Sequence, residues 1–455
     1  MTDTGFEPLC TAAEMRAAEE AYPGYPETIP ELMERAGAGV AYETMRVFPH
    51  ARRFAVVCGG GSNGGDGRVA ARVLREAGRE AVETDVVEGA DVVVDALFGT
   101  GFHGTPRPDA AALIERINNC GAPVVSVDVP SGVDATTGEV PGVAVEAALT
   151  VTFHTSKVGL HVAPGRFHAG DVAVVDIGLD ETRTAVRRAT SALLRQVPRR
   201  GARDSKFSAG SVLVVGGSPG TTGAPVLTAL AALRSDAGYV TMAVPRDCLS
   251  VVESLALEPV KRGFDWDRAA EQILESADRA DAVALGPGLG RSDEAHALVA
   301  TLLERVELPV VVDADALFGL APFSRPQSTI LTPHAGELAR LLGRESAWVD
   351  AHRLEAAREG AERFESVVLL KGAGTIVQPP GGDPVISDAG PPSLATAGTG
   401  DVLTGVVAAF LAKGLDAVTA GAAAATAHGL AAALAPHQAG LVASDLLEEL
   451  PAALG

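Results

Sequence analysis

Lysine is almost missing from this chain. It occurs only at Lys157, Lys206, Lys261, Lys371 and Lys413, within a total of 37 basic residues against 58 acidic ones and a formal net charge of −21. Such a field repels polyanions, so nucleic-acid binding is not expected. Two origins of the composition stay open: an acidic surface adapted to high salt, or a GC-rich genome that favours arginine and alanine. Cysteine is scarce too. Cys10, Cys58, Cys120 and Cys248 lie far apart with no CxxC spacing, which argues against a zinc site or a disulfide framework and fits a reducing cytoplasm. The first ten residues carry neither a basic segment nor an apolar run, so no secretory leader is expected. The best membrane candidate, residues 417–436, has no formal charge but consists mostly of Ala, Gly and Thr around His428. It reads as a buried core helix, and no membrane partner is expected.

Aromatic residues make up 4% of the chain, whereas glycine occurs 51 times and 47% of residues are hydrophobic. That balance suits an α/β protein with many strand-to-helix loops. A length of 455 residues fits two to three domains. One local grammar recurs: a short β-branched run, then Gly or Asp, then a helical pattern. It appears at residues 54–57, 92–94, 124–127 and 148–153, and again at 212–215, 239–244, 282–285, 310–312, 329–331 and 367–370. Runs bounded in this way predict buried parallel strands joined by helical crossovers. Between residues 180 and 203 the texture becomes charged and loses any strand-like run, which predicts a connector with its boundary near Pro198. Two α/β domains are therefore expected, 1–198 and 199–455, each a three-layer αβα sandwich. Ligands should gather beyond the carboxyl ends of the strands. A homo-oligomer is also expected, although an alanine-rich helix such as 417–435 reads equally as core or as subunit contact.

In the first half, Gly59-Gly60-Gly61-Ser62-Asn63-Gly64 satisfies GxGxxG after a strand, with Asp85 about 20 residues on. Alone this is a weak dinucleotide signal. The following Gly65-Asp66-Gly67 shifts the reading toward a loop with amides for an anion and side-chain oxygens for another ligand. Asp95 and Asp128 both end strands beside glycine or Pro-Ser-Gly loops. Either could simply cap a turn; two on one sheet edge favour a site.

With SNGGDG, VDALFGTGF, VSVDVPSGVDATTG and TFHTSKVGL in this order, residues 12–179 resemble the N-terminal domain of the NAD(P)H-hydrate epimerases. The resemblance implies interconversion of the two C6 epimers of hydrated NADH or NADPH (NADHX, NADPHX). It places a potassium ion on Asn63, Asp95 and Ser131, whose hard oxygens suit a monovalent cation. It places the hydrate against Ser62, Asn63, Gly64, Gly65 and Asp66 and against Gly99, Thr100, Gly101, Phe102, His103, Gly104 and Thr105. Asp128 becomes the acid–base group and hydrate contact, with Lys157 as the second candidate. Ser62 stands where the family usually has Asn.

In the second half, Gly398, Thr399 and Gly400 form a turn before an apolar helix that Asp401 is expected to open. Helix-start amides and the dipole attract a transferring phosphoryl group, and a carboxylate at the rim can take a proton from an attacking hydroxyl. Asp401 alone could be an N-cap. Lys371-Gly372-Ala373-Gly374-Thr375 offers a cationic, amide-rich loop and also reads as a hairpin turn. Thr332 and Pro333 are expected as N-cap and N1 of a further helix, with His334 and Glu337 on one face of it. Gly286-Pro287-Gly288-Leu289-Gly290 reads as a loop, and Asp313 and Asp315 as turn aspartates.

From residue 206 onward these motifs resemble the ribokinase-like superfamily. Sugar and vitamin kinases there usually have Asn where His334 stands. His334, together with VVGGSPGTTGAPVLTALAALR and LKGAGT, is similar to the NAD(P)H-hydrate dehydratase branch. The resemblance implies phosphorylation of the C6 hydroxyl by ADP or ATP, with Mg²⁺ accompanying the nucleotide, and then loss of phosphate. It places the hydrate on Ala224, Gly288, His334 and Asp401, the nucleotide on Lys371, Gly372, Ala373, Gly374, Thr375 and Gly400, and the base at Asp401. The family often has His-Lys-Gly where Ser205-Lys206-Phe207 stands here, and usually Gly in place of Asp236. A vitamin-precursor kinase with a regulatory first domain is the rival reading, and a non-catalytic scaffold role for the first domain is another.

Overall fold

The computed structural model describes residues 5–203 and 205–455. Residues 1–4, on which the reading of the N-terminus partly rests, lie outside the described residues. The chain divides into two compact units. One comprises Pro8–Arg187 with Asp350–His352; the other takes Arg188–Val349, Arg353–Gly455 and the residues before Pro8. The division thus falls between Arg187 and Arg188, upstream of the expected Pro198. The supposed connector contains a strand, Val186–Ala189, and a 3₁₀ turn, Ser191–Gln196. Only Val186 and Ala189 of that strand are buried, so it carries no apolar run for sequence reading to catch.

The first unit is built on six parallel strands, in the order Glu80–Glu83, Arg53–Cys58, Val92–Ala96, Val124–Val127, Leu149–Phe153 and Asp171–Val175. Alternation along Arg53–Cys58 sends Phe54 and Val56 into one core with Leu32, Val40, Ala70 and Leu74. It sends Ala55 and Val57 into another with Leu113, Ile114 and Ile117. Period-two burial on both faces explains why these strands read as unbroken apolar runs. The chain reverses its direction of winding between Arg53–Cys58 and Val92–Ala96, which opens a crevice at their carboxyl ends.

The second unit contains an eleven-stranded sheet. Seven parallel strands run from Val260–Phe264 through Tyr239–Pro245, Ser211–Val215, Ala282–Leu285, Val310–Val312 and Thr329–Leu331 to Val367–Leu370. Thr375–Gln378 and Val385–Ser387 then pair antiparallel. Val186–Ala189 and Phe6–Leu9 complete that side, so the edge strand of this sheet comes from the start of the chain. Winding reverses between Ser211–Val215 and Ala282–Leu285. One core joins Val212, Val214, Ala284 and Val311 to helices Gly223–Arg234, Thr399–Ala412, Ala417–Leu434 and Ala443–Leu454.

Helix Ala417–Leu434 is long and apolar enough to cross a membrane by length and composition, yet 72% of it is buried inside the protein. Its Ala420, Ala424, Ala427 and Ala431 are fully buried in this core. Asp236, which stands where the resemblance puts glycine, adopts φ +67. Its carboxylate is held by Lys413 at 2.9 Å and Arg200 at 2.7 Å, so ion pairs accompany a backbone conformation that an Asp tolerates better than most side chains.

Candidate functional sites

In the first unit the chain leaves strand Arg53–Cys58 and enters helix Ser62–Glu76 with Gly61 as N-cap. Ser62, Asn63, Gly64, Gly65 and Asp66 are therefore the first turns of a helix, not a loop. Small residues are required here. A Cβ on Gly64 would lie 1.9 Å from the Gly59 carbonyl, and one on Gly67 would lie 2.5 Å from Ala96 Cβ. Beside this helix start opens a cleft of about 910 Å³. Ser62, Asn63, Asp66, Gly99, Thr100, Gly101, Phe102, His103, Thr105 and Asp128 line it, together with Met15, Arg16 and Glu19 from helix Ala12–Glu20. Gly64, Gly65 and Gly104 are not among the lining residues. His103 is turned to Asp134, 2.9 Å away.

Asp128 follows strand Val124–Val127 with φ +69, a strained conformation for a non-glycine residue that directs its carboxylate at the cleft floor. Oδ1 lies 2.8 Å from the ammonium of Lys157, and Oδ2 accepts the Thr100 amide at 3.1 Å. Lys157 is fully buried and also donates to Thr152 Oγ1 and the Phe153 carbonyl. A buried cation paired with a carboxylate at a cleft is an arrangement able to exchange a proton with a bound molecule. Burial, with Asp128 and Glu19 nearby, pushes the Asp66 carboxyl up to about 8. Glu19, which the sequence did not single out, is raised by burial and by Asp128. No local motif marks Glu19; folding alone brings its helix to the cleft.

Asp95 lies deeper and is fully buried. It accepts from Ser126 Oγ (2.9 Å), Ser131 N (2.9 Å), Ser131 Oγ (2.6 Å) and Leu97 N (3.3 Å). Burial raises its pKa against those bonds. Among the described residues it makes no ion pair, and the buried Asn63 Nδ2 has no hydrogen-bond partner. A carboxylate buried without a cation and bonded to the Ser126 and Ser131 hydroxyls offers hard oxygens of the kind a monovalent cation takes.

In the second unit the site sits at strand ends on both sides of the winding reversal. Gly398, at φ +88, is the N-cap of helix Thr399–Ala412. Asp401 therefore lies inside the first turn and does not open the helix. The turn is pinned from two sides. Thr399 Oγ1 donates to the Leu394 and Thr396 carbonyls, and the buried His428 bonds the Thr399 carbonyl at 2.9 Å. Burial pushes His428 down to about 4, so it is neutral and donates through Nε2. The Asp401 carbonyl accepts Thr228 Oγ1 at 3.0 Å, from the helix that carries Ala224. Burial first, then the negative charge of Asp313, pushes the Asp401 carboxyl up to about 7. Lys371 opposes this rise, and Asp315 and Glu337 add to it.

Lys371 follows strand Val367–Leu370, and its ammonium lies 3.4 Å from where a Cβ on Gly400 would stand. It is 2.8 Å from Asp313 and 3.8 Å from Glu337. Burial works against the ammonium, but these carboxylates hold its pKa above the ordinary value. Gly372, Ala373, Gly374 and Thr375 turn the hairpin that the sequence suggested, with Gly372 at φ +138 and Gly374 at φ +67. Beneath the turn, buried Arg353 donates to the Leu370 and Lys371 carbonyls.

His334, not Thr332, is the N-cap of helix Ala335–Leu342, and Pro333 precedes the helix. His334 Nδ1 accepts the Gly336 amide at 3.0 Å, while Glu337 returns a bond to the His334 amide at 2.9 Å. Nδ1 is thereby the acceptor and Nε2 the proton-bearing atom, on an exposed side chain. Gly288, at φ +64, has its carbonyl bonded to Thr221 Oγ1, and the Thr221 carbonyl accepts the Ala224 amide. Asp401, Gly400, Lys371, Glu337 and His334 are thus linked contact by contact, and Ala224 joins through its helix. Asp313, which the sequence offered only as a turn aspartate, and Thr404, which it did not single out, belong to the same network. A strand-terminal Asp in VVVDAD is the only signal for them.

Comparison with known proteins agrees with both halves. A family model described as NAD(P)H-hydrate dehydratase matches residues 212–452. A second, described as YjeF-related protein N-terminus, matches residues 30–88 and 79–159. The bifunctional NAD(P)H-hydrate repair enzyme Nnr of Moorella thermoacetica is 39% identical over 97% of this chain and 96% of the relative. That of Escherichia coli is 35% identical over 85% of this chain and 82% of the relative. Among solved structures, the ADP/ATP-dependent NAD(P)H-hydrate dehydratase of Bacillus subtilis, co-crystallised with ATP and Mg²⁺, is 30% identical. It covers 58% of this chain and 96% of its own length, with a TM-score of 0.53. Both architectures, in this order and over nearly full length, place the chain in the family of bifunctional NAD(P)H-hydrate repair enzymes.

Proposed function

We propose that this protein repairs hydrated nicotinamide nucleotides in two steps. Its first unit interconverts the R and S forms of NADHX and NADPHX. Its second unit dehydrates the S form at the expense of ADP, giving AMP and phosphate. The observation that carries the second step is the Asp401 carboxyl, raised to about 7, in the first turn of a glycine-capped helix beside Lys371.

Asp401 takes the proton of the C6 hydroxyl as that oxygen bonds to the terminal phosphorus and the bridging P–O bond breaks. Helix-start amides at Gly400 and the Lys371–Thr375 loop receive the phosphate charge. Phosphate then leaves C6 as a proton leaves C5, restoring the ring double bond. Ala224, Gly288 and His334 hold the hydrate, His334 through Nε2–H. Mg²⁺ bound to the nucleotide would neutralise phosphate charge. In the first unit, Asp128 and Lys157 move protons at the hydrate, with Ser62, Asn63, Asp66 and residues 99–105 around it. Potassium, held by Asn63, Asp95 and Ser131, would compensate the buried Asp95 charge beneath the cleft. The reading includes a homo-oligomer in a reducing cytoplasm, which the four free thiols suit.

The test is a coupled assay with epimeric NADHX and ADP or ATP. Return of the NADH absorbance band, with phosphate and AMP released in the ADP reaction, is the expected outcome. Silence with both nucleotides removes the proposal.

A further inference from the structure

Asp313 ends strand Val310–Val312 and is 1% exposed. A carboxylate so deeply buried is tolerated only when both oxygens are satisfied. Oδ1 takes the Lys371 ammonium at 2.8 Å, and Oδ2 takes the Thr404 hydroxyl at 2.6 Å. Thr404 lies one turn beyond Gly400 on the helix that carries Asp401, and its hydroxyl also reaches the Gly400 carbonyl at 3.1 Å. Lys371 opens the hairpin loop on the next strand but one, and its backbone amide bonds the Pro333 carbonyl at 2.9 Å. Two strand ends and the helix of Asp401 therefore meet at one carboxylate, and a third strand end is tied to them through the Lys371 backbone.

The position of Lys371 has a consequence for Asp401. Among the described residues Asp401 makes no ion pair within 4.0 Å, although the ammonium is close to Gly400. The charged groups facing Asp401 are Lys371 from the loop, Asp313 and Asp315 from the segment after Val310–Val312, and Glu337 from helix Ala335–Leu342. His428, behind Thr399, is neutral. Only Lys371 is a cation in this set, and Asp313 is its nearest partner.

We propose that Asp313 is a positioning residue of the dehydratase site. One of its oxygens diverts the Lys371 ammonium from Asp401, and the other locks the helix of Asp401 through Thr404. The inference rests on the assignment of Asp401 as base. Without Asp313 the ammonium swings to Asp401, stabilises its ionised form and weakens it as a proton acceptor.

The experiment compares wild type, Asp313→Asn and Thr404→Val in the full-length chain. Asp313→Asn is expected to lower kcat by about tenfold to a hundredfold, the cost of a misplaced group, with KM for ADP moving by less than about threefold. The acidic limb of its kcat–pH profile should shift downward by about one pH unit, as removal of a nearby negative charge requires. Thr404→Val, which changes no charge, should lower kcat and leave the limb in place. An unmoved limb in Asp313→Asn, a loss confined to KM, or wild-type kcat in both variants would overturn the proposal. Lysine-selective ¹⁵N spectra report on the clamp without turnover. The chain has five lysines, so Lys371→Arg identifies the Lys371 signal. A slowly exchanging ammonium in wild type, lost in Asp313→Asn, supports the clamp; a rapidly exchanging one in wild type refutes it. If wild type fails to dehydrate NADHX with either nucleotide, the functional reading falls and the lysine spectra still decide the clamp.

Discussion

At the scale of single residues, the two proposed catalytic carboxylates are arranged in opposite ways. Asp128 is held as the partner of a buried lysine, whereas Asp401 is kept apart from its nearest cation and has a pKa of about 7. A base with that pKa is half ionised near neutrality, so the rate of dehydration should rise with pH through about 7 and level off above. Asp401→Asn should cut it by roughly 10²–10⁴-fold, the usual worth of a general base, with the epimerase step untouched. Asp128→Asn should do the reverse, abolishing epimer exchange in a folded chain; exchange at the wild-type rate would remove Asp128 from the mechanism. The raised carboxyl also bears on stability. Its folded pKa lies above the unfolded value of 3.8. Between these values the unfolded state gives up a proton that the folded state keeps. Stability contributed by this group is therefore present below about 4 and lost as pH climbs to about 7. Asp401→Asn should raise Tm more at pH 8 than at pH 5, and a gain independent of pH would contradict the assignment.

At the scale of elements, the pairing of helices Gly223–Arg234 and Thr399–Ala412 sets where Asp401 stands. They approach closely because Gly405 faces Thr228, where a Cβ would lie 2.2 Å from the Thr228 carbonyl and 2.8 Å from Ala231 Cβ. Gly405→Ala is expected to destabilise the chain by about 1–3 kcal/mol, as overpacking does, and to depress dehydration beyond what the stability loss explains. Urea unfolding alongside kcat tests both parts. Most of the parallel strands were legible from sequence because burial on both faces leaves unbroken β-branched runs such as residues 310–312. Phe6–Leu9, Glu80–Glu83, Asp171–Val175 and Val186–Ala189 were not. Each buries two residues at most, so local hydrophobicity cannot separate them from loop. Helix starts were legible to within a few residues: glycines marked the turn before Asp401, but the cap fell to Gly398, and a histidine took the cap expected of Thr332. The motif-bearing residues were readable because each sits in a contiguous signature. Asp313, Thr404, Arg353 and Glu19 were not, because their roles come from partners distant in sequence.

At the scale of the whole molecule, the charge of −21 belongs to a chain in which most ion pairs among the described residues involve arginine and lie partly exposed. Such pairs contribute little and weaken with salt. If the acidic composition is an adaptation to salt, activity should persist in molar KCl; collapse there would leave genome composition as the explanation.

The edge strand Phe6–Leu9 has one further consequence. It neighbours Val186–Ala189, which in turn meets Val385–Ser387, so strands far apart in sequence must come together to complete this side of the sheet. A chain cut short before residue 385 leaves the far side of Val186–Ala189 without its partner. Shortening the chain from the front should tell the same story from the other side. A fragment beginning at residue 184 would bare the edge of Val186–Ala189, and light scattering should find it forming larger assemblies than the full chain does.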